Sequence, residues 1–136
     1  MTTTDQTIEQ EIQAKGKTAA RITPDDIEAN IASTHYFTAY QGATSQEAKN
    51  AGDGVEENLR FEDDGCAKSW TVPQNLKLLT FCVLVLRNGF TVTGESACAS
   101  PENFDAEIGR KIARQNAVQK IWPLMGYELR TNLAAA

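Results

Sequence analysis

The dipeptide Asn88-Gly89 lies inside the β-prone stretch Leu76–Val92. Two β-rich runs joined by Asn-Gly form the strongest short hairpin signal, because a type I′ turn needs positive φ at both central residues. Such a turn fixes the register. Val85 then faces Val92 and Arg87 faces Phe90, while Leu86 meets Thr91 and Leu84 meets Thr93 on the other side. Gly94 falls opposite Val83, where a glycine marks a bulge or a close backbone approach. The first strand is apolar on both faces and should be internal. The second is apolar on one face only, through Phe90 and Val92.

After this hairpin the chain runs through Gly94-Glu95-Ser96-Ala97-Cys98-Ala99 to Ser100-Pro101. Ser100 reads as an N-cap and Pro101 as the first helical position. The spacing predicts a helix from there to about Trp122, where Pro123 ends or kinks it. "LMGYELR" then returns as a strand or short helix. On that long helix Phe104, Ile108, Gly109, Ile112, Ala113, Asn116 and Ala117 fall on one arc. The small residues Ala106, Gly109, Ala113 and Ala117 within it would let another backbone come close, either a strand or the same helix of a second subunit. Asn116 on this arc would be a buried amide needing a partner. Glu107, Arg110, Lys111 and Arg114 occupy the opposite face, with Glu107 at pairing distance from Arg110 and Lys111.

Further upstream, "ITPDDIEANIAS" carries Thr23 as N-cap, Pro24 at the first helical position, Asp26 in capping-box position and an Ile22/Ile27 staple, predicting a helix over about 24–32. "THYFTAYQGA" is aromatic and β-prone. Thr44 with Glu47 suggests a second capping box. Residues 51–67 read as an acidic, Gly-rich loop, and "KSWTV" as a short strand closed by Pro73. The expected fold is α+β: a small antiparallel sheet built on the central hairpin, packed against one long C-terminal helix and one or two short N-terminal helices. Residues 1–21 are expected as a flexible arm or weak helix, 22–133 as one domain, and 134–136 as a vector-derived tail.

Composition narrows the functional classes. A net charge of −5 over 136 residues argues against tight binding to duplex DNA, but not against a small anion in a local basic pocket. Cys66, Cys82 and Cys98 form no CxxC pair and no cysteine–histidine cluster, so reduced, mostly buried thiols are expected, with no metal site and no cofactor. No membrane span is expected. His35 is the single histidine, and neither a Gly-rich phosphate loop nor a nucleophile elbow is present, so a binding module is favoured over an enzyme.

"ITPDDIEANIASTHYFTA" and "LRNGFTVTGESACASPENFDAEIGRKIARQNAVQKIWPLMGYELR" resemble the phage gene product 49/66-like family over roughly residues 22–130. That family is in turn similar to the first class of anti-Thoeris proteins, phage sponges that hold a cyclic ADP-ribose isomer without cleaving it. The resemblance implies a homo-oligomeric trap for a small cyclic nucleotide, near a subunit interface, in the cytoplasm of the infected host. No ligand contact of that class is carried over. The residue types such a ligand needs are arginine or lysine for phosphates, an aromatic platform for the base and amides for its edges. Phe90, Asn103, Arg110, Arg114, Asn116 and Lys120 supply them around the hairpin–helix junction. The competing classes are a host-takeover protein that binds a bacterial protein, motivated by the acidic loop, and a minor virion component.

Overall fold

A computed structural model of the protein describes residues 3–60 and 71–136. The elements run α1 (Thr3–Ala14), α2 (Pro24–Ala29), β1 (Ile31–Thr38), α3 (Ala39–Ala43), α4 (Gln46–Asn50), α5 (Val72–Leu76), β2 (Leu79–Leu86), β3 (Thr91–Ala97), a 3₁₀ turn (Pro101–Asn103) and α6 (Ala106–Ala135). The strands form one antiparallel sheet in the order β1-β2-β3. The class is α+β, as the sequence predicts, and β2 is the internal strand. The chain forms two compact units, one of residues 1–35, 83–94 and 114–136, the other of residues 36–82 and 95–113.

In the first unit, α2 starts where expected. Thr23 Oγ1 accepts from the Asp26 N–H, and Asp26 Oδ2 accepts from the Thr23 N–H. Ile27 is fully buried. The helix stops at Ala29, shorter than the sequence suggests, because the β-branched and aromatic run from Ile31 favours strand. Residues 3–14, expected as a flexible arm or weak helix, are helical. Arg21 pairs with Glu9 on α1 (2.7 Å to Oε2), and Gln119 donates to Asp5.

The hairpin corrects the expected register. Gly89 has φ +89°, and no described non-glycine residue has positive φ, so Asn88 is not in the left-handed region that a type I′ turn requires. Leu86 N–H donates to Phe90 O at 2.8 Å, and Gly89 N–H to Leu86 O at 2.9 Å. The loop is therefore Arg87-Asn88-Gly89, with only the glycine left-handed. The cause is local. Arg87 is drawn out of the ladder, its backbone N–H bonding Asn30 O and its Nε bonding Ala29 O. Asn88 Oδ1 accepts from the Phe90 N–H instead of shaping a two-residue turn. Leu84 now stands opposite Val92, both buried. A one-residue slip turns every side chain of one strand to the other face. Here the shift aligns the two buried sets, and Gly94 moves with them.

In the second unit, Cys98 N–H donates to Leu78 O, which holds the same register at the far end. Of β2, Thr80 and Cys82 in this unit are buried and Leu79 and Phe81 half-buried; in the first unit Leu84 and Leu86 are buried and Val83 and Val85 half-buried. Thr38 and Gln41 cap α3 reciprocally. Ser45, not Thr44, caps α4, because Thr44 Oγ1 donates to Tyr40 O. Of "KSWTV", residues 68–70 lie outside the described residues, as do 61–67 of the acidic loop. Thr71 forms an isolated bridge with Arg60, and Val72 already belongs to α5, so that end of the segment is not a strand. Cys82 is buried and Cys98 half-buried, and Cys66 lies outside the described residues.

The long helix begins later and ends later than predicted. Ser100 makes no side-chain cap, and Pro101–Asn103 is a single 3₁₀ turn. Phe104 then adopts extended backbone (φ −66°, ψ 127°), which breaks the helix before it can propagate. Asp105 Oδ1 accepts from the Ile108 N–H and caps α6. The helix continues through Pro123 to Ala135. Leu, Met, Glu, Arg and Ala after the proline are strong helix formers, and "LMGYELR" is helical rather than a strand.

Candidate functional site

Gly109 shows one use of the small residues of α6. A Cβ on Gly109 would lie 3.2 Å from Thr80 Oγ1. Gly109, Ala113 and Ala117 are buried. Close approach to a strand is realised at Gly109, which packs against Thr80 of β2. Ile108 and Ile112, placed on the same arc by the sequence, are 55% and 42% exposed. The arc is therefore narrower than expected, and Asn116 is exposed rather than buried. The reason is that small side chains, not the isoleucines, set the line of contact.

Two recesses flank this contact, both within the second unit. The first, of about 100 Å³, is lined by Tyr36, Phe37, Thr38, Gln41, Thr80, Phe104, Ala106 and Arg110. The second, of about 130 Å³, is lined among others by Thr80, Ser96, Asn103, Phe104, Asp105 and Gly109. Phe104 and Thr80 belong to both. β1 delivers Tyr36, Phe37 and Thr38 in succession. Phe37 is braced by Phe81, with ring centroids 5.6 Å apart. The reciprocal cap fixes Thr38 and Gln41: Gln41 Oε1 is engaged by the Thr38 N–H, which leaves the Gln41 amide nitrogen as a donor. The recess thus combines aromatic faces, hydroxyls, an amide and one guanidinium.

The six residues expected to bind ligand separate. Arg110 lines the first recess and Asn103 the second. Arg110 makes no hydrogen bond or ion pair among the described residues, because Glu107 pairs with Lys111 (3.3 Å) instead. Arg114 grips Glu28 through both guanidinium nitrogens, at 3.0 and 2.9 Å. That fork holds the Glu28 carboxyl down at about 2, mainly through the hydrogen bonds from Arg114. Phe90 is 56% exposed at the hairpin, and Asn116 and Lys120 are exposed on α6. These four line neither recess. Tyr36, Phe37, Thr38, Gln41, Thr80 and Phe104 escaped sequence reasoning as site residues. One signal was present: Thr38-Ala39-Tyr40-Gln41 has capping-box spacing, which places a helix start directly after an aromatic strand.

A larger recess, of about 290 Å³, lies in the first unit against Gln6, Glu9, Gln10, Gln13, Thr23, Pro24 and Asp25. Its charged lining is acidic, and Arg21 holds Glu9 ionised at about 2. An anion would be repelled there, so volume alone does not select it.

A family model described as phage protein (N4 Gp49/phage Sf6 gene 66) matches residues 22–133. The chain belongs to that family. Both recesses of this phage family member lie inside the matched span, whereas α1, which lines the acidic recess, lies outside it. Comparison with curated proteins and with solved structures gives no match. No helix among the described residues is long and apolar enough to cross a membrane.

Proposed function

We propose that this phage protein binds and sequesters a cyclic nucleotide-type immune signal, a cyclic ADP-ribose isomer or a cyclic oligonucleotide, without cleaving it. The observation that carries this reading is Arg110, a cation on an aromatic recess with no carboxylate partner among the described residues. A guanidinium suits a phosphate, and Tyr36, Phe37 and Phe104 offer faces to a base. Tyrosine, threonine, glutamine and arginine side chains hold a ligand well and exchange protons poorly at neutral pH, which suits retention rather than turnover. The protein acts, on this reading, in the cytoplasm of the infected host and as a homo-oligomer. Exposed Ile108 and Ile112, which border the second recess, supply an apolar surface for a second subunit close to the ligand.

Isothermal titration with cyclic ADP-ribose isomers and cyclic trinucleotides tests the binding. One compound should bind at a fixed ratio and be recovered intact after denaturation of the complex. Arg110→Ala should weaken it about 10- to 100-fold, the range expected for losing a hydrogen bond to a charged group. Altered ligand after recovery would mean an enzyme, and silence across the panel would end the proposal. Light scattering should give a mass above one chain, and a monomer at working concentration would remove the oligomer.

A further inference from the structure

Thr80 is 4% exposed and is the one polar residue in the buried set of the described chain. Its hydroxyl has no hydrogen-bond partner among the described residues. Its oxygen is not sealed inside the fold, since Trp122 Nε1 is the one enclosed side-chain polar atom without a partner among the described residues, so a partner for this hydroxyl has to reach it from outside. This one opens onto both recesses, at the boundary they share with Phe104. Across from it stands Gly109, where a Cβ would approach the same hydroxyl oxygen to 3.2 Å. The strand contributes a hydroxyl with no partner, and the helix contributes a residue too small to cover it.

Size and charge add two constraints. Small-molecule pockets usually measure about 300–1,000 Å³, whereas these recesses measure about 100 and 130 Å³. Either alone holds a base or a phosphate, not a nucleotide. The charges differ as well, with Arg110 on the first and Asp105 on the second. A phosphate is favoured beside Arg110 and disfavoured beside Asp105. Asp105 and Asn103 can instead accept from and donate to the polar edge of a base.

Resting on the nucleotide reading above, we infer that the two recesses are halves of one binding cleft, with Thr80 as its central polar contact. The phosphate lies at Arg110, the base lies in the recess of Asn103 and Asp105, and a ribose hydroxyl between them bonds Thr80 Oγ1. Threonine and ribose hydroxyls each donate and accept, so the pair needs no particular proton arrangement. Thr80 thereby selects a ligand that carries a free sugar hydroxyl at the junction of its base and phosphate.

The experiment compares wild-type protein with Thr80→Val, Thr80→Ser, Gly109→Ala and Arg110→Ala, titrated with cyclic ADP-ribose isomers and cyclic trinucleotides, with thermal unfolding recorded for each. Valine keeps the shape of threonine and removes the hydroxyl; serine keeps the hydroxyl. Thr80→Val should bind about 3- to 10-fold more weakly, the loss of one neutral hydrogen bond, with an unfolding temperature equal to or above wild type. Thr80→Ser should stay within about threefold of wild type, and Gly109→Ala should weaken binding by crowding the hydroxyl. Should Arg110→Ala weaken binding while Thr80→Val binds like wild type, the inference falls and the nucleotide reading stands. If the wild-type protein binds no member of the panel, both fall. A lowered unfolding temperature in Thr80→Val would show the hydroxyl to be satisfied within the fold and would also overturn the inference.

Discussion

Arg110 and Arg114 sit one turn apart on the same helix, yet the two regions around them use the same side chain differently. Arg114 belongs to the first unit and is committed to Glu28 by a two-pronged ion pair. Arg110 belongs to the second and faces a recess with no carboxylate partner among the described residues. A paired arginine fixes architecture. An arginine held beside aromatic rings without a counter-charge is free to meet an anion from outside. Identical residues at helical spacing therefore do not imply a shared task. What separates them is the acid that each neighbouring element does or does not supply.

The largest effect that sharpens this contrast should come from the small-residue line of α6 in the second unit. Ala113 is fully buried on the small-residue line of α6. Ala113→Leu should destabilise the protein by about 2–3 kcal/mol through overpacking, measured by urea denaturation. A variant as stable as wild type would show that this line is loosely packed, and that the recesses beside it are not held in shape by close packing.

How much of this was legible in sequence depends on the reach of the interaction. The α+β class, the capping box of Thr23 and Asp26, the internal position of β2 and the small-residue line on α6 all follow from local patterns. The register does not. Asn88-Gly89 specifies a turn, but Arg87 bonding to Ala29 and Asn30 decides how many residues the turn contains. Those partners lie more than fifty residues away. The helix start was missed for a related reason. Ser100-Pro101 is a sound cap signal, and the extended backbone at Phe104 overrides it. At the site, helical periodicity found Arg110 but could not see Glu28 taking Arg114, nor β1 and Thr80 arriving from earlier in the chain. Asn116 and Lys120 match a nucleotide's needs by type alone.

The next effect tests the committed arginine. Arg114→Ala should cost about 1 kcal/mol at neutral pH, a figure kept modest because Glu28 is 36% exposed and solvent screens the pair. Glu28 titrates lower in the folded protein than in the unfolded chain, about 2 against 4.5. Its stabilising contribution is complete above the unfolded value and disappears as pH falls through the folded one. The difference between wild type and Glu28→Gln should therefore be constant above pH 5, shrink between pH 4.5 and 2, and vanish below. Denaturation curves that stay parallel down to pH 2 would mean that the fork contributes nothing.

Gly89→Ala should follow closely, at about 1 kcal/mol, because a Cβ is strained at φ +89° although nothing lies within 4 Å of it. This effect is confined to the turn and should leave ligand binding unchanged. A loss of binding in Gly89→Ala would place the ligand nearer the hairpin and Phe90 than the recess of Arg110, and would revive the hairpin as a site.

The smallest effect on stability is the most telling. Arg110 is exposed and makes no ion pair or hydrogen bond among the described residues, so Arg110→Ala should leave stability within about 0.5 kcal/mol of wild type. Its neighbour one turn on should cost more on the same scale, although both substitutions delete the same group. If the two variants unfold alike, the contrast between them fails, either because the Arg114 fork is worth nothing or because Arg110 has a structural partner. If they differ as expected, the fold does not account for Arg110. A guanidinium held on an aromatic recess without structural work is then best explained by a ligand.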